Sequence, residues 1–407
     1  MRAMTMLAAA MAAAGAGAAP LDLGVKTIDL AGDADRQVVV DREEGQYLGH
    51  VTTVLLEDGK TMIAVYPKGH GRGAIVMKRS TDGGRRWSGR LPVPASWATS
   101  REVPTIHRVV DAKGVKRLIL WSGLYPARLA SSADDGATWT ELQPAGDWGG
   151  IVVMGFVEAL KTPGRYLAMF HDDGRFFTEK TVKGAGFTLY TTFSDDGGLT
   201  WSKPSGIWNG REVNLCEPGC IRSPDGKRLA VLLRENARRK GSHIIFSDDE
   251  GATWSKPVEM PMSRSGDRHT LKATPDGRLV CVFRAFTPAA KGKSFGANED
   301  VDKAGIGGPF EGDCVAWIGT WDDLVSGTPG QYHVRLLDNR KGWDTTYPGV
   351  EVLPDGTVVV TTYGTWDAGQ APYIRSTRFT LKELDARAAK PRSEERRGGK
   401  ECRSRWS

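Results

Sequence analysis

Beyond its first residues the chain lacks any apolar run approaching the length of a membrane span, which excludes a helical transmembrane protein. Cysteine is sparse: Cys216, Cys220, Cys281, Cys314 and Cys402, the last in a terminal stretch treated separately below. The other four permit disulfides in three pairings, but a chain of this length does not need them to hold a core. Cys216 and Cys220 stand four apart on an expected strand, about 13 Å at about 3.3 Å per residue, too far to bridge one another. Free buried thiols are therefore expected. Paired ligands at zinc spacing and phosphate-binding glycine loops are both missing, so no metal and no other cofactor is expected. No long stretch repeats with a 3.6-residue period, which removes helical bundles.

Charge of one sign is also short. Lys and Arg number 55 against 49 Asp and Glu, a net +6. Residues 392–407 resemble a translated sequencing-adapter read and are left out of the reading; without them the balance is 49 to 46, net +3. With no basic run and no patch of interleaved aromatics, a nucleic-acid partner is not expected. Residues 1–18 have a basic start at Arg2, an Ala-rich apolar run and small residues at Ala16-Gly17-Ala18, the pattern of a signal peptide. A secreted or periplasmic monomer without a membrane anchor is the expectation, since no cysteine for lipid attachment follows the run.

What the chain has is glycine, 50 residues of it, and a repeated octapeptide. Ser-x-Asp-x-Gly-x-Thr-Trp occurs at Ser132–Trp139, Ser194–Trp201 and Ser247–Trp254, and at Ser80–Trp87 with Arg86 in place of Thr. The copies begin 52, 62 and 53 residues apart, the period of propeller or solenoid units. In each, the Asp can accept from its own turn's N–H groups, the Gly allows a positive φ, and the Trp can bury against a neighbouring sheet. Such carboxylates are structural.

Inner-hairpin turns fall at Asp58-Gly59, Lys113-Gly114, Pro163-Gly164, Asp225-Gly226, Asp276-Gly277 and Asp355-Gly356, each between short apolar runs. Six hairpins predict an all-β fold, a six-bladed β-propeller of four-stranded antiparallel blades over residues 25–384. In the fifth blade Gly319-Thr320-Trp321-Asp322-Asp323 stands where an octapeptide is due. Residues 25–40 are expected to add a last outer strand and close the ring, and the loop from Pro288 to Gly312 to cover its mouth.

A position a fixed distance before each turn lies at the same height in every blade. Eight residues before four of the Asp-Gly turns stand His50, Glu217, Arg268 and Tyr347; eight or nine after them stand Tyr66, Arg234, Arg284 and Tyr363. Ionisable groups recurring at one level in otherwise apolar strands point to a wet central pocket rather than a dry core.

These repeats resemble the Asp boxes of the sialidase superfamily, over about Val38 to Leu384. The resemblance implies a six-bladed propeller and an exo-acting glycoside hydrolase that releases a sialic-type sugar. It implies Tyr347 as nucleophile, Glu217 as its base and Arg234 as a carboxylate-binding guanidinium. A neutral phenol aided by a base suits a sugar whose anomeric carbon bears a carboxylate, since an anionic nucleophile would be repelled. The chain departs from the family pattern at Gly49-His50, where an Arg is due, and at Gly71–Ile75, where an acid is due. Arg268 and Arg284 are therefore expected to join Arg234 in binding, with His50, His70 or Arg72 making up missing contacts. Asp172 is the first choice as proton donor, with Asp173, Glu102 and His269 left open. Two other readings stand: a hydrolase of a different acidic sugar, and a non-catalytic carbohydrate-binding propeller. Acidic glycans are the expected partners in each.

Overall fold

The computed structural model describes residues 21–177, 186–210, 212–291 and 307–389. The expected leader at 1–18, the stretch 392–407 and most of the loop between Pro288 and Gly312 lie outside the described residues.

Six sheets follow one another along the chain. Their inner hairpins are Thr52–Leu55 with Met62–Pro67, Thr105–Val110 with Lys116–Ser122, and Ile151–Ala159 with Tyr166–Asp172. The other three are Leu215–Arg222 with Leu229–Glu235, Gly266–Ala273 with Leu279–Ala285, and Gly349–Val352 with Val358–Gly364. Each turn glycine has the positive φ its position demands, from 69° at Gly59 to 84° at Gly277. The six innermost strands pack side by side around one axis, the last against the first. The architecture is an all-β six-bladed propeller of antiparallel blades. Blade one has three strands, and blade five gains a fifth.

Residues 25–40 supply two strands rather than one. Gln37–Asp41 pairs antiparallel with Tyr373–Phe379 and closes blade six, while Lys26–Asp29 runs parallel to Tyr332–Leu337 at the edge of blade five. Both leave fewer exposed strand edges.

Apolar side chains collect in six clusters, one between each pair of neighbouring blades. The octapeptide tryptophans serve these clusters. Trp87, Trp139, Trp201 and Trp254 each pack toward the preceding blade. Where the octapeptide is missing, helices take over. Trp321–Ser326, capped by reciprocal bonds between Thr320 and Asp323, puts Leu324 between blades four and five. Leu381–Ala389 puts Leu381 and Leu384 between blades five and six. Cys216, Cys220, Cys281 and Cys314 are free thiols.

Candidate active site

Inner strands start irregularly at the end of the propeller opposite their turns. His50, Glu217 and Arg268 have φ of 50°, 51° and 54°, and bulges follow in blades four and five, between Cys216 and Gly219 and between Asp267 and Thr270. Val152 of blade three, at φ 49°, starts its strand in the same way. Side-chain-bearing residues avoid this region, so its recurrence on four blades marks a geometry held for a purpose. In blade six the positive φ, 59°, falls on Thr346, which places Tyr347 one residue further in than the count from the turn implies.

These irregular starts deliver side chains from separate blades to one place. The Tyr347 hydroxyl donates a short hydrogen bond to Glu217 Oε1, and Arg234 Nη1 donates to the same oxygen at 2.8 Å. Burial pushes the Glu217 carboxyl up, but the Arg234 guanidinium outweighs it with help from the Tyr347 hydroxyl, holding the group below its ordinary value. Burial and the neighbouring Glu217 carboxylate raise the Tyr347 hydroxyl well above its own, so the phenol is neutral beside an ionised carboxylate. His50 faces the Tyr347 ring edge-on at 4.2 Å between centroids. Arg268 lies under that ring, its guanidinium carbon 5.6 Å from the centroid, and Nη2 reaches the Met154 carbonyl at 3.4 Å.

Beneath this pair is a carboxylate that the sequence reading did not single out. Asp267, fully buried, accepts from Arg284 Nε at 2.7 Å and Arg238 Nη2 at 2.7 Å, and pairs with Arg234 Nε at 3.3 Å. Burial opposes its charge, yet Arg234, Arg284 and Arg238 together hold its carboxyl well below the usual range. Arg284 also donates to the Trp343 and Thr345 carbonyls, so its fork is committed to protein acceptors. Trp343 packs its ring against Phe286 at 5.0 Å, and Arg238 covers that Phe at 4.1 Å. The cluster sets four guanidiniums, Arg234, Arg238, Arg268 and Arg284, against two carboxylates, Glu217 and Asp267. Its sum favours an anion.

A second polar group stands on the other side of His50. Asp344 accepts from Tyr47 at 2.8 Å and Tyr363 at 2.9 Å, and pairs with His70 Nδ1 at 3.2 Å. His50 Nδ1 accepts from the Gly71 N–H at 3.0 Å, and burial drives its own pKa well below the ordinary value. It is neutral, so it cannot replace an arginine as a counter-charge, and its contacts are those of a support for Tyr347.

Asp172 is not brought to this cluster by any contact. One of its oxygens accepts from Gly174 N–H at 2.9 Å and Phe176 N–H at 3.2 Å, and the other is buried without a hydrogen-bond partner. Burial raises its carboxyl. On the same strand His171 faces the other way and accepts from Glu217 N–H at 3.3 Å. Alternation along the strand turns Asp172 to the opposite sheet face. Tyr66, read as part of the upper ring, instead bonds Asp41 at 2.6 Å, within the packing between blades six and one. His269 is buried with Nε2 on the Arg264 carbonyl at 2.9 Å.

Comparison with known proteins agrees with the fold. Residues 119–293 match the BNR repeat-like domain family. The chain is a six-bladed β-propeller with a BNR repeat-like stretch over those residues. A crystal structure of a protein of unknown function from Dyadobacter fermentans is 16% identical with TM-score 0.61, covering 84% of this chain and 97% of that one. The intramolecular trans-sialidase of Ruminococcus gnavus is 15% identical with TM-score 0.53, covering 83% and 95%. The NanB sialidase of Streptococcus pneumoniae is 10% identical with TM-score 0.55, covering 85% and 70%. At such identities the likeness is one of fold. No curated protein sequence matches. Among the described residues of this propeller, no group of three or more His, Cys, Asp or Glu is placed to hold a metal, and no helix is long and apolar enough to cross a membrane.

Proposed function

We propose that this propeller, acting through residues 25–384 and exported from the cell, is an exo-α-sialidase-like glycoside hydrolase that removes a terminal acidic sugar from glycans. The observation that carries the reading is the hydrogen bond from Tyr347 to Glu217 inside a ring of guanidinium groups. A binding protein has no use for a phenol aimed at a carboxylate in a buried, positively charged site; a hydrolase does. As the phenol oxygen attacks the anomeric carbon, Glu217 takes its proton, and the phenol brings no negative charge toward the sugar's own carboxylate. Arg234, the least buried of the four arginines that face each other here, is the first candidate to hold that carboxylate, with Arg268 and Arg284 fixing the field around it. The structural likeness to proteins named sialidase supports the same reading.

Fluorogenic sialosides and uronides, incubated with the purified chain, test it. Tyr347→Phe and Glu217→Gln are each expected to lower turnover on the order of 10²–10⁴-fold, the range for a lost acid–base partner. Wild-type turnover in Tyr347→Phe removes the covalent mechanism. A second reading, a hydrolase of another acidic sugar such as a uronic acid, is favoured by one feature: Arg284 is committed to Asp267 and to backbone carbonyls, leaving fewer guanidinium forks for a sialic carboxylate. Faster cleavage of the uronide decides for it.

A further inference from the structure

The hydrolytic reading leaves one role open, that of the group which protonates the departing oxygen. We infer that His70, oriented by Asp344 and Tyr47, is that donor, an assignment that rests on the hydrolase reading.

The loop from Lys68 to Ala74 joins the second and third strands of blade one at the mouth. It is a tight structure, closed by Lys68 N–H on the Ala74 carbonyl at 2.9 Å and by Arg72 N–H on the His70 carbonyl at 2.9 Å. Gly69 and Gly73, at φ 152° and 131°, let it close, since a Cβ on either would strike backbone oxygen at 2.3 or 2.4 Å. The Gly71 N–H is held by His50, the ring that supports Tyr347. One imidazole therefore fixes both the nucleophile and the loop that carries the next one. His70 stacks edge-on against His50 at 4.5 Å, so a single ring separates it from Tyr347.

The two nitrogens of His70 are differently placed. Nδ1 faces Asp344 Oδ1 at 3.2 Å and the Tyr47 hydroxyl at 2.8 Å, and Tyr47 itself donates to Asp344. An acceptor pair on that side fixes the proton on Nδ1 and leaves Nε2 as the working nitrogen. The side chain is 64% exposed, on a loop that stands at the mouth. The charged and titratable groups around it are Asp344, Tyr47, His50, Glu102 and Arg284. Among them the Asp344 hydrogen bond dominates and raises the imidazole's affinity for a proton.

The chemistry balances. Nε2–H passes its proton to the glycosidic oxygen as the bond from that oxygen to the anomeric carbon breaks, and the bonding pair stays on oxygen. Tyr347 oxygen bonds the carbon, and its proton moves to Glu217. In the second half, neutral Nε2 takes a proton from water while the water oxygen bonds the anomeric carbon. The Tyr347–carbon bond breaks, and Glu217 returns the proton to the phenol.

Two substrates of the same sugar separate this role from others: one with a nitrophenol leaving group that departs without help, and one with an alkyl or sugar alcohol that does not. His70→Gln is expected to lose on the order of 10²–10⁴-fold on the alkyl glycoside and less than about tenfold on the nitrophenyl one, and its pH–rate profile loses the basic limb. Asp344→Asn, with His70 intact, is expected to lower turnover on the alkyl glycoside and move the basic limb downward, because it withdraws the partner that orients and raises His70. A structural role would not move that limb. Equal losses on both substrates in His70→Gln, an unmoved limb in Asp344→Asn, or the leaving-group split appearing in Glu102→Gln instead, would each overturn the assignment while wild-type hydrolysis stands. If the wild type cleaves neither substrate, the hydrolase reading falls first and the donor role with it.

Discussion

The rim and the mouth of this propeller both hold carboxylates, and they hold them in opposite ways. At the rim, Asp196 Oδ1 accepts from Leu199 N–H at 3.0 Å and Thr200 N–H at 2.9 Å, while Oδ2 takes the Thr200 hydroxyl at 2.6 Å. Every partner is neutral and lies within four residues. At the mouth, Asp267 and Glu217 are buried, and their partners are guanidiniums and a phenol from other strands and blades; Tyr347 is 130 residues from Glu217. A carboxylate satisfied by its own turn needs nothing from the rest of the fold. One satisfied by charges from elsewhere exists only when several sheets are in register, and that dependence makes a site.

The strongest way to break this contrast is at Asp267. Asp267→Asn removes the charge that three buried or half-buried arginines share and is expected to cost about 3–5 kcal/mol in denaturant unfolding, the range for a buried pair stripped of one partner. The pH dependence follows from the depressed folded-state pKa. The carboxylate's contribution is complete above its unfolded value and is lost only as pH falls through the lower folded one. The gap between wild type and variant should therefore stay constant through neutral and mildly acidic pH. A gap that closes by pH 5 would show that Asp267 is not held by the arginines.

Glu311 sharpens the comparison from between the two classes. It is buried like the mouth carboxylates but bonded to neutral donors like the rim ones, the Thr287 N–H at 3.0 Å and the Gly308 N–H at 2.8 Å. Without a positive partner burial wins, and its pKa rises to about 7. The folded state then binds more protons than the unfolded one between about 4.5 and 7, so this group makes stability fall as pH rises through that window. Melting of wild type and Glu311→Gln across it should diverge, the variant lacking that slope.

The contrast also explains what could be read in advance. Octapeptides, turns and tryptophans are local, so the six blades followed from sequence, while counting back from the turns marked His50, Glu217, Arg268 and Tyr347 but missed that Tyr347 sits one residue further in. Asp267, Arg238 and Asp344 were not singled out, because their meaning lies in partners contributed by other strands. Asp267 directly precedes Arg268 and Arg238 follows Arg234 by four, but neither spacing says that they meet. The left-handed strand starts are borne by His50, Val152, Glu217, Arg268 and Thr346, so no glycine advertised them. Asp172 illustrates the converse: a run of acids after an apolar strand resembles a site, while alternation along that strand turns its carboxyl to the other face.

The smallest effects belong to the rim, where loss of one acceptor leaves the rest of the molecule untouched. Asp196→Ala strips two backbone donors and the Ser194 and Thr200 hydroxyls of their acceptor and is expected to cost about 1–2 kcal/mol. Its complement is the first copy, where Arg86 stands in the Thr position. Asp82 there still accepts the Ser80 hydroxyl at 2.9 Å and the Arg85 and Arg86 N–H groups at 3.0 and 2.9 Å, but the Thr hydroxyl bond of the other copies is missing. Arg86→Thr supplies that hydroxyl and is expected to stabilise by about 0.5 kcal/mol, the low end for one partly exposed hydrogen bond. Since nothing but the turn is involved, the gain should appear in melting temperature and leave turnover unchanged. A change in turnover of the same variant would mean that rim and mouth are coupled, against the separation drawn from their bonding partners.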